Sequence, residues 1–358
     1  MNSFINAQLA MKKLRLGAKK CFVMHVGNEH ESYKNDQLLI DGWNVKTVES
    51  VLTGEIDWED TLVEDMNEIS NITSEKYLGQ ILSNDSKNTL NITMLRNKGI
   101  GIQNKIIQML EKMPGGEYHF EIAVILRNAL LISSILTNSE VWYGVTQVDT
   151  EQLEQIDEMW IRNLFECSRN VPKDLLYLEL GIVPISFIIK GRKQMFLHHI
   201  LQQNQESLLY RFFNAQMNKP SNKDWVSTVL VDMEDLKIDL ELEDIKKIPK
   251  SKFKEYINEK VRGAAFEYLL DKKLSRNSER AKGKLLEYCD FEMSEYLTPI
   301  DHDISIDDRK WLFQCRIEDI DLNINRKWNN ESNECIKCPD TILDQRHLLE
   351  CKYLIGTN

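Results

Sequence analysis

A mainly α-helical protein with a small α+β segment at its N-terminal end is what the sequence predicts, on three observations. From Asn88 onward apolar residues recur at the three- and four-residue spacing of a helix with one buried face. Before that point they cluster in short runs bounded by turn residues, as strands do. At the far end Cys335, Cys338, His347 and Cys351 stand at metal-ligand spacing, which predicts a stapled knuckle there.

In chain order, Phe4, Leu9, Met11 and Leu14 fall at helical spacing, so residues 3–16 read as a helix ended by Gly17. Phe22-Val23-Met24-His25-Val26 follows as a strand. Leu38-Leu39-Ile40 and Trp43-Asn44-Val45 flank Asp41-Gly42, a two-residue hairpin signal. Residues 54–75 are acidic, and Lys76–Leu82 reads as one further strand in which Gly79 lets another backbone approach. These strands are too few to close a sheet of their own.

Ile106, Leu110 and Met113 mark the first long helix, stopped by Pro114-Gly115-Gly116. A second, with Ile122, Ile125, Leu126, Ala129, Leu130, Ser133 and Leu136, is apolar enough around its girth to predict burial. Asp149 reads as the cap of a third, with Leu153, Ile156, Trp160 and Leu164 on its inner face. Pro172 opens a short helix, Leu175 to Leu180, ended by Gly181, and Pro184 opens another that reaches about Gln203. Lys219-Pro220-Ser221-Asn222 reads as a linker, followed by charged helices with weaker apolar stripes such as Phe253, Tyr256 and Ile257.

Charge restricts function. The 358 residues carry a formal net charge of −11, the wrong sign for a molecule that grips phosphates over its whole surface, so any such surface must be a local patch. Seven cysteines, sparse and odd in number, do not make a disulfide scaffold. The opening residues carry no secretory signal and the most apolar tract, Ile122 to Thr137, is interrupted by Arg127 and Asn128. An intracellular protein of cytoplasm or nucleus, off the membrane, is expected.

The terminal cluster has the most specific chemistry. Cys335-x2-Cys338 puts two thiolates on one tight turn, and His347-x3-Cys351 puts a ring and a thiolate one helical turn apart. Four soft and borderline ligands suit a tetrahedral, closed and therefore structural Zn²⁺. Other features read blandly. Gly99-Ile100-Gly101 lacks the third glycine of a phosphate loop, and His198-His199 reads as helix surface. Asp307-Asp308, the one adjacent pair of aspartates, sits in a helix-start context and reads as a solvated cap.

Taken together, Leu14-Arg15-Leu16-Gly17-Ala18-Lys19-Lys20-Cys21, Tyr77-Leu78-Gly79, Tyr177–Ile185 and the terminal cluster resemble, in that order, the C-terminal part of a non-LTR (jockey-like) retrotransposon reverse transcriptase. The resemblance implies four regions: a palm remnant at 1–87, a helical thumb-like domain at 88–216, a helical connector at 217–330 and a zinc knuckle at 331–358. It sets Lys20 where the family has a lysine that protonates departing pyrophosphate, with Gly17 departing from the family's asparagine. It makes Tyr77, Leu78 and Gly79 similar to the hairpin that holds the primer end. It also implies that Lys98, Lys105, Arg127, Lys190, Arg192 and Lys193 line a template–primer groove; as plain sequence they read equally as a solvated basic helix face.

The family's metal-binding aspartates precede the segment that begins here, and Mg²⁺ would belong only to the full-length parent. The expected function is therefore that of a polymerase tail: RNA or DNA template–primer binding without synthesis, the missing upstream region being a natural partner, and Met1 an internal methionine of a longer frame. The alternative is a zinc-stapled helical scaffold for protein–protein interaction, and the two are told apart by salt-dependent binding of nucleic acid.

Overall fold

The computed structural model describes residues 22–23, 38–40, 43–45, 70–71, 74–77, 80–83, 88–113, 118–142, 144–219, 224–275, 291–298, 304–319, 334–335, 338–342 and 347. The backbone divides into two compact units, Met1–Met94 and Leu95–Asn358. As expected, the fold is mainly α.

The first unit holds short paired strands. β1 (Phe22–Val23) pairs in parallel with β4 (Ser70–Asn71), and β2 (Leu38–Ile40) pairs antiparallel with β3 (Trp43–Val45), Ile40 facing Trp43. The Asp41-Gly42 signal therefore marked a real strand pair. The single strand expected over Lys76–Leu82 is corrected: β5 (Ser74–Tyr77) and β6 (Gln80–Ser83) are two strands, antiparallel, with Tyr77 facing Gln80. A glycine two residues past an aromatic serves a reversal as readily as a packed strand, and one strand's periodicity does not tell them apart. The helix expected at 3–16, Lys20, Leu78 and Gly79 lie outside the described residues.

The second unit is built from helices. α1 (Thr89–Glu111) turns Leu95, Ile106 and Leu110 inward. Gly99 is needed on that face: a Cβ would come within 2.9 Å of Ile135 and 3.0 Å of Ile156. α2 is α-helical over His119–Leu126, π-helical over Arg127–Ile132 and α-helical again over Ser133–Ile135. The extra residue in the π turn shifts the register of this helix. Ile125, expected inside, is 62% exposed and Leu130 39%, while Arg127 is turned into the core. The all-round burial expected for this tract is corrected accordingly.

α3 (Gln147–Phe165) buries the four residues expected, Leu153, Ile156, Trp160 and Leu164. Its cap is Thr146, with Asp149 as the return partner of a capping box, not Asp149 itself. α4 (Lys173–Leu180) ends at Gly181 and α5 (Ile185–Leu201) starts after Pro184, as the proline and glycine signals predicted. α6 (Leu208–Asn218), α7 (Trp225–Asp235) and α8 (Leu242–Lys247) each pack on α5. α9 (Lys250–Leu274) lies along α5 and α4, where Gly191 allows the approach: a Cβ there would sit 2.8 Å from Val261.

α9 lies beyond residue 217, where a separate helical connector is expected. Its stripe of Phe253, Ile257, Val261, Ala265 and Leu269 is buried, and the helices on both sides of that point belong to one unit. α10 (Ile306–Arg316) docks on α3 through stacked rings, Phe313 on Phe165 at 3.8 Å and Phe165 on Phe120 at 4.9 Å between centroids. Its start is capped by Ser305 with Asp308 returning, so the Asp307-Asp308 pair is a solvated helix start, as expected. β7 (Glu334–Cys335) and β8 (Cys338–Ile342) close the described chain as an antiparallel pair. Among the described residues no helix is long and apolar enough to cross a membrane.

Candidate metal centre and basic surfaces

The terminal cluster is assembled by the β7–β8 pair. Cys335 lies directly opposite Cys338, which brings both sulfurs to one end of the ladder, at an irregularity of register that turns the strand. His347 closes on them, so that its ring nitrogen and the two sulfurs all lie within 4.8 Å of one another. Cys335 is buried and the other two are half-buried; none of the cysteines described is disulfide-bonded. Three such groups at this separation could hold a metal ion. Cys351, the fourth expected ligand, lies outside the described residues.

The basic residues expected to line a groove are dispersed in role. Arg127 is buried and makes a two-pronged pair with Asp157, Nε to Oδ1 at 2.6 Å and Nη2 to Oδ2 at 2.5 Å. Its Nη2 also reaches the Val183 carbonyl at 3.3 Å, and Tyr177 donates to Asp157 at 3.1 Å. Burial alone would lower the guanidinium pKa, but the charge and hydrogen bonds of Asp157 outweigh it and the net shift is upward. Lys193 is buried too, 3.2 Å from Asp232, whose carboxyl is raised by burial against the opposing pull of that lysine. These two cations are internal counter-ions and are removed from the expected groove.

Lys190 pairs with Asp235 at 2.5 Å on the surface. Arg192 is half-buried and donates to the carbonyl of Leu136 and, at 3.4 Å, to Ser139 Oγ. Lys98 and Lys105 are exposed on α1, as a phosphate contact requires, with Lys98 only 3.5 Å from the Ser134 carbonyl. His198 is a correction of another kind. It is buried, stacked on Phe253 at 4.7 Å and bonded through Nε2 to the Ile248 carbonyl at 2.8 Å, while its neighbour His199 is exposed.

The Tyr177–Ile185 stretch is a structural junction. Tyr177 serves the Asp157 pair. Glu179, fully buried, accepts through Oε1 from Ser294 Oγ at 2.7 Å, Tyr296 OH at 2.6 Å and Arg316 Nε at 2.5 Å, which ties α4 to α10 and to the turn at Glu295–Leu297. Sequence reading missed Asp157 and Glu179, both of which resemble ordinary helix-surface charges. The signal available for Asp157 was its position: three residues before Trp160 and one after Ile156, it falls on the apolar face of α3.

Comparison with protein-family models, with curated proteins and with solved structures finds no match to this chain.

Proposed function

We propose that the chain is a non-catalytic nucleic-acid-binding protein stapled by zinc, akin to the tail of a retrotransposon reverse transcriptase. The observation that carries it is the Cys335, Cys338 and His347 triad on its strand pair. A tetrahedral zinc site with sulfurs at about 2.3 Å sets its ligand atoms about 3.8 Å apart, so a separation within 4.8 Å needs only a small contraction to close on the ion. The spacing of Cys351 from His347 suits it as the fourth ligand, leaving no open position for catalysis. Zinc analysis of purified chain is expected to give one ion per molecule, lost in Cys335→Ser; a metal-free chain with an unperturbed C-terminus rejects the site.

Nucleic acid is proposed to meet the solvent-facing Lys98 and Lys105 rather than the whole set first expected. Phosphate contacts position a strand without reading its sequence, and each releases counterions. Fluorescence anisotropy with a labelled template–primer duplex is expected to show affinity falling steeply with salt, Lys98→Gln and Lys105→Gln each reducing the slope of log K against log salt by about 1. Binding indifferent to salt and to both substitutions removes this reading.

A second reading, a helical scaffold for a protein partner, is favoured by α6. That helix leaves Leu208 71% exposed and Phe212 61% exposed, an apolar edge with no use in phosphate binding. It becomes the better account if the duplex is not bound at any salt concentration.

A further inference from the structure

A cleft of about 960 Å³ opens along α5 and α9, within the roughly 300–1,000 Å³ of small-molecule sites. Its floor is aliphatic, from Ile188, Met195, Ile257 and Val261, and only Phe196 and His199 among the lining residues carry rings. Its borders are cationic. Two of the cations are already matched: Arg127 by Asp157, and Arg262 by Glu292 at 3.6 Å. Three are not.

Lys250 and Lys254 stand exposed at the cleft, one helical turn apart on α9, with no ion pair among the described residues. Arg192 lines the same cleft from α5. It is half-buried, and its hydrogen bonds go to neutral acceptors, the Leu136 carbonyl and Ser139 Oγ. Burial pushes its pKa down, and the charge of Glu140, the other acid at this border, offsets that only in part. A guanidinium withdrawn from water without a bonded counter-ion is costly, and an anion entering the cleft would relieve that cost. The cleft's long aliphatic floor asks for a ligand with an apolar body as well.

We propose that this cleft binds an organic anion with an aliphatic tail, its phosphate or carboxylate head held by Arg192, Lys250 and Lys254 and its tail lying on Ile188, Met195, Ile257 and Val261. The inference is independent of the nucleic-acid reading. Bases bind single-strand grooves by stacking on aromatic platforms, and this floor offers aliphatic side chains instead.

The test is calorimetric titration of the full chain with dodecyl phosphate and with laurate below their micelle concentrations, beside dodecanol, inorganic phosphate and a thymidine ten-mer. One molecule of dodecyl phosphate or laurate is expected to bind per chain, at least about tenfold more tightly than dodecanol or phosphate alone. The stronger of the two heads identifies whether a phosphate or a carboxylate is the natural one. Lys250→Gln and Lys254→Gln, both on the solvent side of a long helix, are each expected to weaken binding several-fold with the melting temperature unchanged. Met195→Trp is expected to weaken it by filling the floor. Unchanged affinity in both lysine variants overturns the proposal. So does inorganic phosphate binding as tightly as the amphiphile, or the ten-mer binding more tightly and displacing it.

Discussion

Replacing Asp157 by alanine is expected to cost about 3–5 kcal/mol, among the largest losses any single side chain of this fold can produce. Asp157 is fully buried, and its two oxygens take the guanidinium of Arg127 in a two-pronged pair while also accepting from the Tyr177 hydroxyl. Without it a charged guanidinium stays inside the second unit with the Val183 carbonyl and the Asn128 side chain as its remaining acceptors. The pair itself need not add net stability, because desolvating both ions is itself expensive. The double variant Arg127→Met with Asp157→Leu is therefore expected to be closer to the native protein than either single variant. Urea unfolding followed by circular dichroism measures Asp157→Ala, Arg127→Met, Asp157→Leu, the double variant and the native protein. A loss below about 1 kcal/mol for Asp157→Ala, or simple additivity in the double variant, refutes this account.

That pair also explains why the sequence misled where it did. The resemblance makes Arg127 a candidate phosphate contact, and an arginine on a helix is usually solvated. What takes it inward is a carboxylate thirty residues later together with a π turn, and neither periodicity nor composition encodes such a pairing. Lys193 and His198 were missed for the same reason: each faces a partner on another helix, Asp232 on α7 and Phe253 on α9. Local signals at several breaker residues and on one helix face are reliable. Pro172, Gly181 and Pro184 bounded α4 and α5, the apolar face of α3 was read residue by residue, and Asp41-Gly42 lay between paired strands. The Cys335-x2-Cys338 spacing is legible because a Cys-x2-Cys turn is short-range, and the strand pair sets those residues opposite each other.

The motif first read for function at Tyr177–Ile185 turns out to carry the junction of the helical unit, which has a consequence for what variants there can reveal. Tyr177 bonds Asp157, Glu179 binds three donors from the chain's later part, and Gly181 ends α4 against the backbone of residues 292 and 293. Substitutions in this stretch act first by unfolding the unit, so the proposed nucleic-acid contacts are tested on the exposed face of α1 instead.

Gly181 gives the second large effect, from geometry alone. It closes α4 with a Schellman turn, its own N–H bonded to the Leu178 carbonyl at 3.1 Å and the Ile182 N–H to the Tyr177 carbonyl at 3.2 Å, at φ +59°. A side chain in the left-handed region costs about 1–2 kcal/mol. Here it also has nowhere to go: a Cβ would lie 2.4 Å from Glu292 Cα and carbonyl carbon and 2.7 Å from Met293 N, all backbone atoms. Forcing that segment away adds roughly 1–3 kcal/mol of overpacking. It also strains the hydrogen bond from Arg262 to the Phe291 carbonyl. Gly181→Ala is thus expected to lose about 3 kcal/mol and Gly181→Val more, because a β-branch is less tolerant of the left-handed region. Gly101→Ala is the internal control. That glycine is helical with open space around its missing Cβ, so alanine there should stabilise by about 0.5–1 kcal/mol. If Gly181→Ala and Gly101→Ala shift the unfolding midpoint alike, residues 291–293 do not pack against the end of α4.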